Sequence, residues 1–215
     1  GGYAHTLATQ TDGTLWSWGR NGYGQLGLGD RNSRSNPVQV GTLTNWSSIA
    51  SGWSHTIATQ TDGTLWSWGY NSWGQLGLGD ITHRSSPVQV GTLTNWSSIT
   101  GGGGIRTIAT QTDGTLWSWG YNAWGELGLG DITKRSSPVQ VGSLTNWRSI
   151  AGGGFHTIAT KTDGTLWSWG RNAYGNLGLG DITHRSSPVQ VGSLTNWNLI
   201  ASGSYYNTIV TYNTY

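Results

Sequence analysis

The acidic residues are the first candidates for chemistry, because two carboxylates at the right separation can work as general acid and base. All eight aspartates, however, fall at only two positions of a repeated pattern, and Glu126 is the one other acidic residue. Aspartates in turns usually accept hydrogen bonds from nearby backbone N–H groups. We therefore predict structural aspartates, no catalytic residues and a protein that is not an enzyme. The first set lies in Thr-Asp-Gly turns and the second closes Gly-Leu-Gly-Asp loops: Asp12, Asp62, Asp113 and Asp163, then Asp30, Asp80, Asp131 and Asp181.

Histidine is the next candidate, since its ring can bind a metal or transfer a proton. His5, His55 and His156 occupy one repeat position, which holds Arg106 in the third copy and Asn207 in the last. A metal ligand or a catalytic base would not tolerate that exchange. A hydrogen bond to a neighbouring loop would tolerate it, so we predict a structural position and no metal site.

The remaining chemical patterns are weaker. His83 and His184 each follow an aspartate by three residues, which is too little to indicate a metal, and we expect both to be exposed in loops. The glycine-rich run 24–29 superficially resembles a phosphate-binding loop, but no strand-turn-helix pattern surrounds it. Every serine, histidine and aspartate that could form a triad belongs to the repeat or to a loop. The sequence therefore implies no cofactor.

The 15 tryptophans supply the bulk that the composition otherwise lacks, since each can bury on the order of 150–250 Å². Twelve of them occupy invariant repeat positions and are predicted to pack within and between repeats. The structural core positions are Trp18, Trp68, Trp119 and Trp169.

A second group of aromatic residues varies between the copies, and arginine or tyrosine stands three residues before each of them. An aromatic side chain presented once per repeat on one rim could stack a sugar or contact a partner. It could equally shield loop glycines from water. The candidate ligand or partner contacts are Arg20, Tyr23, Tyr70, Trp73, Tyr121, Trp124, Arg171 and Tyr174.

All of these positions are set by an internal repeat. The run Thr-Asp-Gly-Thr-Leu-Trp-Ser-Trp-Gly begins at Thr11 and returns at intervals of 50, 51 and 50 residues. A period of this length indicates one supersecondary unit stacked on copies of itself. We place the repeats in a single domain, 1–215, at approximately 1–36, 37–86, 87–137 and 138–187, with a partial repeat at 188–215.

Each repeat has the pattern of four short strands. In one unit, 87–91 alternates apolar and polar residues after a leading proline, 96–100 is a second short run, and 107–111 is rich in β-branched residues. An Asp-Gly turn then leads to 115–119, which is a strong hairpin signal. No helical period of useful length occurs. The predicted fold is an all-β β-propeller, built from four four-stranded blades of about 50 residues.

Composition limits the partners. Only 9% of residues are charged and the formal net charge is +2, too weak a field to favour nucleic acid or an acidic membrane. No run approaches the ~18 apolar residues of a membrane-spanning helix. The absence of cysteine leaves the compartment undetermined, although a surface of hydroxyls and amides favours an extracellular or virion-exposed location over the cytoplasm. A start at Gly1 without any methionine indicates a processed product or an excerpt.

Several short motifs recur in the copies; in the second copy they are His55-Thr56, Asp62-Gly63, Trp68-Gly69, Asn71 and 74–79. Together they resemble the repeat of the regulator-of-chromosome-condensation family over essentially the whole chain. The resemblance implies a β-propeller, usually of seven blades, in proteins that act as guanine-nucleotide exchange factors, ultraviolet photoreceptors or general binding platforms. This chain departs from that pattern with four repeats and no long insertion.

Two of the family's activities need features that are scarce here. The ultraviolet receptors are marked by Gly-Trp-x-His-Thr motifs and arginine-tryptophan clusters, and only 52–56 matches that motif. Nucleotide exchange usually needs a protruding wedge and specific acidic side chains, which this nearly symmetric chain lacks. Neither activity is the leading expectation.

The strand count leaves closure of the ring open. The chain begins within a repeat, at 6–10 and 14–18, and ends with a run at 207–212. This gives seventeen strands where sixteen would close four blades, and the last strand repeats the slot of 6–10. Three alternatives follow: a partial ring excerpted from a longer propeller, arcs assembled across chains, and a closed four-blade ring.

We therefore expect a non-enzymatic scaffold for protein–protein interaction or structural assembly, on a virion or cell surface. The expected partner is another protein or further copies of the chain, with no membrane and no nucleic acid. One alternative is a carbohydrate-binding propeller that stacks a glycan on Tyr23, Trp73, Trp124 and Tyr174. The other is a guanine-nucleotide exchange factor.

Overall fold

The computed structural model describes residues 1–202 and 208–212, which form an all-β structure. Within these residues, seventeen strands lie in five antiparallel sheets, so the predicted β-propeller is confirmed. The last predicted strand is present as Thr208–Tyr212, whereas Asn207 lies outside the described residues. Within those residues, no helix is long and apolar enough to cross a membrane, and no group of three metal-ligating side chains occurs.

The first four sheets are called blades 1 to 4, and the two-stranded sheet that follows is called the fifth sheet. Blade 1 has three strands and blades 2 to 4 have four each. Blades 1 and 2 contain β1 His5–Thr9, β2 Leu15–Gly19, β3 Arg34–Gln39, then β4 Trp46–Ser51, β5 His55–Gln60, β6 Leu65–Gly69 and β7 Arg84–Gln89. Blades 3 and 4 contain β8 Trp96–Thr100, β9 Arg106–Gln111, β10 Leu116–Gly120, β11 Arg135–Gln140, then β12 Trp147–Gly152, β13 His156–Lys161, β14 Leu166–Gly170 and β15 Arg185–Gln190. The fifth sheet contains β16 Trp197–Ser202 and β17 Thr208–Tyr212.

The sheets are offset from the sequence repeats. The strand that contains Pro87, β7, pairs with β6 and completes blade 2 instead of opening the next blade. It begins at Arg84, so the proline lies inside the strand and not at its first position. The fold tolerates this because β7 is an edge strand of its sheet, where a missing N–H need not break a ladder.

The hydrophobic core lies between neighbouring blades. Leu15 and Val40 of blade 1 pack with Trp46, Ala58 and Trp68 of blade 2, and all five are buried. The same set of positions packs between blades 2 and 3 and between blades 3 and 4. Each blade is therefore stabilised by its neighbours, as expected for a repeat protein.

Three of the four predicted core tryptophans are buried, and the fourth is not. Trp68, Trp119 and Trp169 are fully buried. Trp18 is only half-buried, which corrects its assignment as a core residue. The reason is positional: each buried tryptophan is covered by the preceding blade, and none of the five described sheets precedes blade 1.

The two ends of the structure are incomplete in different ways. One cavity of about 600 Å³ is lined by the segment before β1, by the first strand of each of blades 2 to 4, and by β16. Blade 1 lacks that inner strand, so β1 is only partly buried, with two of its five residues exposed, where β5, β9 and β13 are buried throughout. Among the described strands, β16 pairs with β17 and not with β1. The pairing that would close a four-blade ring is therefore not observed, and the alternatives of a longer propeller and of arcs joined across chains stay predictions.

Antiparallel order divides the connections between two faces. The Thr-Asp-Gly turns and the links between blades lie on one face, here called the turn face. The connections between the first and second strands of each blade, and between its third and fourth strands, lie on the other, here called the interaction face. The third-to-fourth connections are 20–33, 70–83, 121–134 and 171–184.

Candidate interaction face

The aspartates are structural, as the sequence predicted. Asp12 accepts hydrogen bonds from the Thr14 N–H at 3.0 Å and from the Thr14 hydroxyl at 2.7 Å, and these bonds lower the pKa of Asp12. In the second set, Asp80 accepts from the Thr82 N–H at 2.8 Å and pairs with Arg84 at 2.5 Å. The same contacts recur in the other copies, so both sets of carboxylates are occupied in building turns and loops.

The repeated histidine position lies in the junction between blades. The His5 ring Nε2 lies 3.2 Å from the hydroxyl of Thr56 in blade 2. Thr56 stands opposite Trp68 across the β5–β6 pair, and both side chains donate to the carbonyl of Gln25, at 2.8 and 3.0 Å. The second junction repeats this set with His55, Thr107, Trp119 and Gln75. The hydrogen bond was predicted to reach a neighbouring loop, whereas the structure shows it reaching a strand of the neighbouring blade, β5 for His5 and β9 for His55.

Burial makes these histidines weak bases. Desolvation is the largest cause, and it lowers the pKa of His5 to about 4, of His55 to about 3 and of His156 to about 4. All three are therefore neutral near pH 7. Neutral rings inside a junction contribute packing and hydrogen bonds, not proton transfer to a solvent-exposed substrate.

The third junction keeps the threonine and tryptophan bonds to the backbone carbonyl, here that of Glu126, but has charged side chains at the histidine and glutamine positions. The Arg106 guanidinium is 1% exposed and donates to the carbonyls of Gly153, Gly154 and His156 at 3.0, 2.9 and 2.6 Å. In the same copy, the position of Gln25 and Gln75 is occupied by Glu126, which is also buried. Burial lowers the pKa of Arg106 to about 10 and raises that of Glu126, while each charge favours the ionised form of the other. The charge of Arg106 is thus compensated within its own blade.

Each loop of the interaction face is held by buried amides. The Asn71 Oδ1 accepts from the Leu76 N–H at 2.9 Å, and its Nδ2 donates to the Asp80 carbonyl at 3.1 Å. The Gln75 Oε1 accepts from the Trp73 N–H at 3.0 Å. These hydrogen bonds therefore fix the loop backbone that carries the variable side chains.

Four of the predicted contact residues line one pocket at the junction of blades 1 and 2. The Tyr23 and Tyr70 rings lie 4.8 Å apart, edge to face, and the Arg20 guanidinium carbon lies 5.7 Å from the Tyr23 ring centre. Trp73, which is 36% exposed, forms part of the wall. The pocket has a volume of about 410 Å³ and is lined by Tyr3, Arg20, Tyr23, Trp53, Ser54, Tyr70, Trp73 and Ile105.

The other four predicted residues do not line this pocket. Tyr121 contacts Trp73 across the next junction, with ring centres 5.0 Å apart. The Arg171 guanidinium lies over Trp124 at 5.2 Å, so both are engaged in packing between blades 3 and 4. Tyr174 lies at the end of blade 4 and is 69% exposed, because the described residues of the fifth sheet, β16 and β17, provide no third-to-fourth connection to cover it.

Sequence reasoning missed the inner wall of the pocket. Tyr3, Trp53, Ser54 and Ile105 come from the segments before the second strands of blades 1 to 3. A signal was present, since the first two copies read Gly-Tyr and Gly-Trp where later copies read Gly-Gly. No pattern within one repeat brings these segments to the 20–33 and 70–83 loops, because they meet only across a junction.

The histidine of the 70–83 loop corrects a second expectation. His83 is half-buried, not exposed: its ring lies 4.9 Å from that of Tyr70, and its Nδ1 accepts from the Asn71 N–H at 2.9 Å. Burial lowers its pKa, so it is neutral near pH 7. His184 makes the same hydrogen bond in blade 4 and is exposed, as predicted.

The charged side chains at the pocket are positive. Arg20 is the single charged residue among those that line it, and the ammonium of Lys134 lies 5.6 Å from the Trp73 ring centre. The aspartates of the two adjoining loops are paired with Arg34 and Arg84. The lining contains no carboxylate and no carboxamide side chain. The pocket therefore offers aromatic faces and hydrogen-bond donors beside an excess of positive charge.

Comparison with known proteins gives consistent matches. The profile of the regulator of chromosome condensation (RCC1) repeat matches residues 12–59, 62–106, 113–160 and 163–210, and a second profile of the same repeat matches 46–75 and 147–176. The ultraviolet-B receptor UVR8 of Arabidopsis thaliana is 36% identical over 143 residues, covering 65% of this chain and 32% of the receptor.

Solved structures agree on the fold. Human WBSCR16 superposes with a TM-score of 0.88 at 24% identity, covering 100% of this chain and 57% of that chain. Prp20p from Saccharomyces cerevisiae superposes with a TM-score of 0.81 at 25% identity, covering 94% of this chain and 52% of that chain. The chain spans about a third of the receptor's length and about half the length of these two structures.

Proposed function

Because the chain belongs to the regulator of chromosome condensation (RCC1) repeat family, we propose that it is a non-enzymatic scaffold whose interaction face binds a protein partner. The observation that carries this proposal is the aromatic pocket, placed on a face where the repeats differ over a framework in which they are nearly identical. Loops on a rigid framework are where binding residues concentrate. The extracellular or virion-surface location is a proposal from composition alone.

Two structural observations support binding over catalysis. The repeated aspartates are engaged in turns and salt bridges, and the repeated histidines are buried in junctions. The relatives point in the same direction, since the yeast Prp20p structure is described with binding to Gsp1p and histones, and another with Kap60 bound to yeast RCC1 (Prp20). Protein partners are thus attested for a propeller of this repeat.

The alternatives have less support in this chain. Ultraviolet reception, the role named for UVR8, is not extended here because Gly-Trp-x-His-Thr occurs once, at 52–56. A glycan would need hydrogen-bond acceptors for its hydroxyl groups, and the pocket lining has no carboxylate or carboxamide side chain. Nucleotide exchange is not favoured by any particular contact of the described residues.

The test compares proteins captured by three forms of the chain from an extract of its source. The interaction-face variant carries Arg20→Glu, Tyr70→Ala and Trp73→Ala, and the control carries Leu43→Ser and Leu93→Ser on the turn face. We expect a defined set of proteins to be lost with the first variant and retained with the control. Equal capture by all three forms would contradict the proposal.

Structural assembly is a second candidate, and the ends of the arc favour it. At the inner junctions, the indole of a tryptophan such as Trp68 covers a glycine such as Gly27 of the preceding blade. Trp18 lacks such a cover from a preceding blade, and Gly178 is exposed where its equivalents are buried. A second copy would place Trp18 over Gly178 of the first, with its β1 taking the place of β17 beside β16.

Sedimentation velocity over a range of concentrations tests this second candidate. We expect the mass to rise with concentration, and Trp18→Ala to weaken the association. Trp16→Ala serves as the matched control, because it changes the invariant tryptophan two residues earlier in the same strand. A monomer at every concentration would exclude assembly through these ends.

A further inference from the structure

We propose that the pocket between blades 1 and 2 binds an acidic, proline-rich segment of the partner. This inference rests on the proposed function and specifies its ligand. Five aromatic side chains form most of the pocket wall. They are Tyr3, Tyr23, Trp53, Tyr70 and Trp73.

The size and accessibility of the pocket fit a short peptide segment. Its volume of about 410 Å³ falls within the ~300–1,000 Å³ of typical ligand sites. Tyr3 is 76% exposed and Trp73 is 36% exposed, so aromatic faces are open to a ligand without rearrangement of the core. The wall draws on the inner segments and on the third-to-fourth loops, and it therefore extends across the junction.

Three of the five aromatic side chains of the wall are held in place before any ligand arrives. Tyr23 and Tyr70 contact each other edge to face, and Trp73 does the same with Tyr121. The Tyr23 N–H donates to the side chain of Gln25 at 2.9 Å, as the Trp73 N–H does to Gln75. These three side chains have little freedom left to lose on binding, which favours affinity.

The hydrogen-bonding character of the wall selects for proline. Its side-chain polar groups include the Arg20 guanidinium, the Ser54 hydroxyl, and phenol and indole groups, with no carboxylate or carboxamide. A polyproline II segment presents carbonyl acceptors and few N–H donors, and its rings dock into aromatic-lined grooves. A peptide rich in N–H groups would find only hydroxyl oxygens as acceptors among these side chains, so the lining matches it less well than it matches a peptide rich in carbonyl acceptors.

The charge of the region selects for carboxylates in the same segment. Arg20 lines the pocket, and Lys134 lies over the Trp73 ring at 5.6 Å. His83, behind the Tyr23 and Tyr70 rings, has a lowered pKa and adds no charge near neutral pH. Asp30 and Asp80 are held by arginines of the outer strands. An acidic ligand is therefore attracted and a basic one repelled.

The next junctions do not repeat this pocket, which provides internal controls. Where blades 1 and 2 carry Tyr3 and Trp53, blades 3 and 4 carry Gly104 and Gly154. Arg171 lies over Trp124 at 5.2 Å and over Phe155 at 5.7 Å, so these side chains pack together at the third junction. The proposed site is therefore specific to the first junction.

The experiment uses three fluorescein-labelled nonapeptides and the whole chain, with binding followed by fluorescence anisotropy. The peptides are three repeats of Pro-Pro-Glu, of Pro-Pro-Lys and of Gly-Gly-Glu. We expect saturable binding of the first at about 1–100 μM, and at least about tenfold weaker binding of the other two. Raising the salt concentration should weaken binding of the first peptide, because its carboxylates face Arg20 at an exposed site.

Matched variants locate the site. Trp73→Ala should weaken binding of the Pro-Pro-Glu peptide at least about tenfold. Trp124→Ala, at the same position of the next blade and outside the pocket, should leave binding unchanged. Arg20→Glu should shift the preference from the glutamate peptide to the lysine peptide. Circular dichroism of each variant establishes that the propeller is retained.

Several results would overturn the proposal. These are no saturation of the Pro-Pro-Glu peptide below about 1 mM, equal affinity for the Gly-Gly-Glu peptide, or an equal loss in both tryptophan variants. Trp73-dependent binding of an oligosaccharide without peptide binding would assign the pocket to a glycan instead. If the peptides fail while the triple variant still loses captured proteins, the ligand class is wrong and the interaction face stands. If both experiments fail, the proposed function fails with them.

Discussion

At the scale of single residues, a near-identical repeat makes each exception informative. Arg106 and Glu126 depart from the repeat in the same copy, at positions that are buried in all of the first three copies. The sequence identifies Glu126 as the one acidic residue outside the repeated aspartate positions. Its burial could not be inferred, because the residue before and the residue after it give no periodic signal. The structure shows that the two changes balance each other in charge.

A double-mutant cycle tests this balance. Arg106→His and Glu126→Gln restore the residue types of the first two junctions, and each alone leaves one buried charge without its counterpart. Each single change should lower the free energy of unfolding by about 2–4 kcal/mol. The double change should cost less than the sum by more than about 0.5 kcal/mol. Denaturant unfolding of the four proteins measures this, and strictly additive losses would contradict it.

The buried histidines predict a loss of stability in mild acid. Their pKa values of about 4, 3 and 4 lie below the ordinary value of 6.5, so the unfolded chain binds more protons between these limits. The contribution of the neutral histidines to the free energy of unfolding is therefore fully present above pH ~6.5. It falls as the pH is lowered, by up to about 1.4 kcal/mol per pH unit for each histidine.

His55→Asn tests the contribution of one of these histidines to the pH dependence of stability. The variant should lose less stability than the wild type between pH 7 and pH 5, because asparagine does not titrate. Thermal unfolding of both proteins across this range measures the difference. Parallel curves would show that His55 is not buried in its neutral form.

At the scale of the strands, each third strand contributes one tryptophan to the junction before it. Trp68→Ala should cost about 3–5 kcal/mol, since it leaves a cavity in a packed core. Trp18→Ala, the same change in the same strand of blade 1, should cost less than about half of that, because Trp18 is half-buried. Chemical denaturation distinguishes the two variants. Equal losses would mean that the preceding blade does not decide the burial of this position.

The glycine that receives each tryptophan permits a similar comparison. At Gly77, with φ +74°, an added Cβ would lie 2.7 Å from the Trp119 indole nitrogen, whereas at Gly91, with φ +62°, it would meet nothing within 4 Å. Gly91→Ala should cost about 1 kcal/mol for the left-handed backbone. Gly77→Ala should cost at least about 2 kcal/mol, since Trp119 must also move. Similar unfolding free energies for the two variants would contradict the close approach.

At the scale of the whole molecule, the period of the sequence was enough to predict the all-β propeller, its total of seventeen strands and the burial of Trp68, Trp119 and Trp169. Two features could not be predicted from this period. The offset of sheets from repeats depends on whether the Pro87 strand pairs backward or forward, and short strands of similar composition carry no signal for that choice. The pocket needs side chains from segments on successive blades, which only the junction geometry brings together.

The missing inner strand of blade 1 predicts uneven protection along the arc. Amides of β5, β9 and β13 have paired strands on both sides, whereas β1 is paired on one side only. Hydrogen–deuterium exchange should therefore be faster in His5–Thr9 than in His55–Gln60. Mass spectrometry of peptides from the two segments measures this. Equal protection would mean that another strand covers β1 in solution.

The junction between blades has a consequence for how such a chain can change its length. The surface that Trp68 presents to blade 1 is presented again by Trp119 to blade 2 and by Trp169 to blade 3, against the same glycine and the same carbonyl position. A further unit of this sequence, inserted in frame at a link on the turn face, would find both of its flanks already matched. Duplication or deletion of the DNA that encodes one whole unit would then add or remove a blade without requiring a new interface.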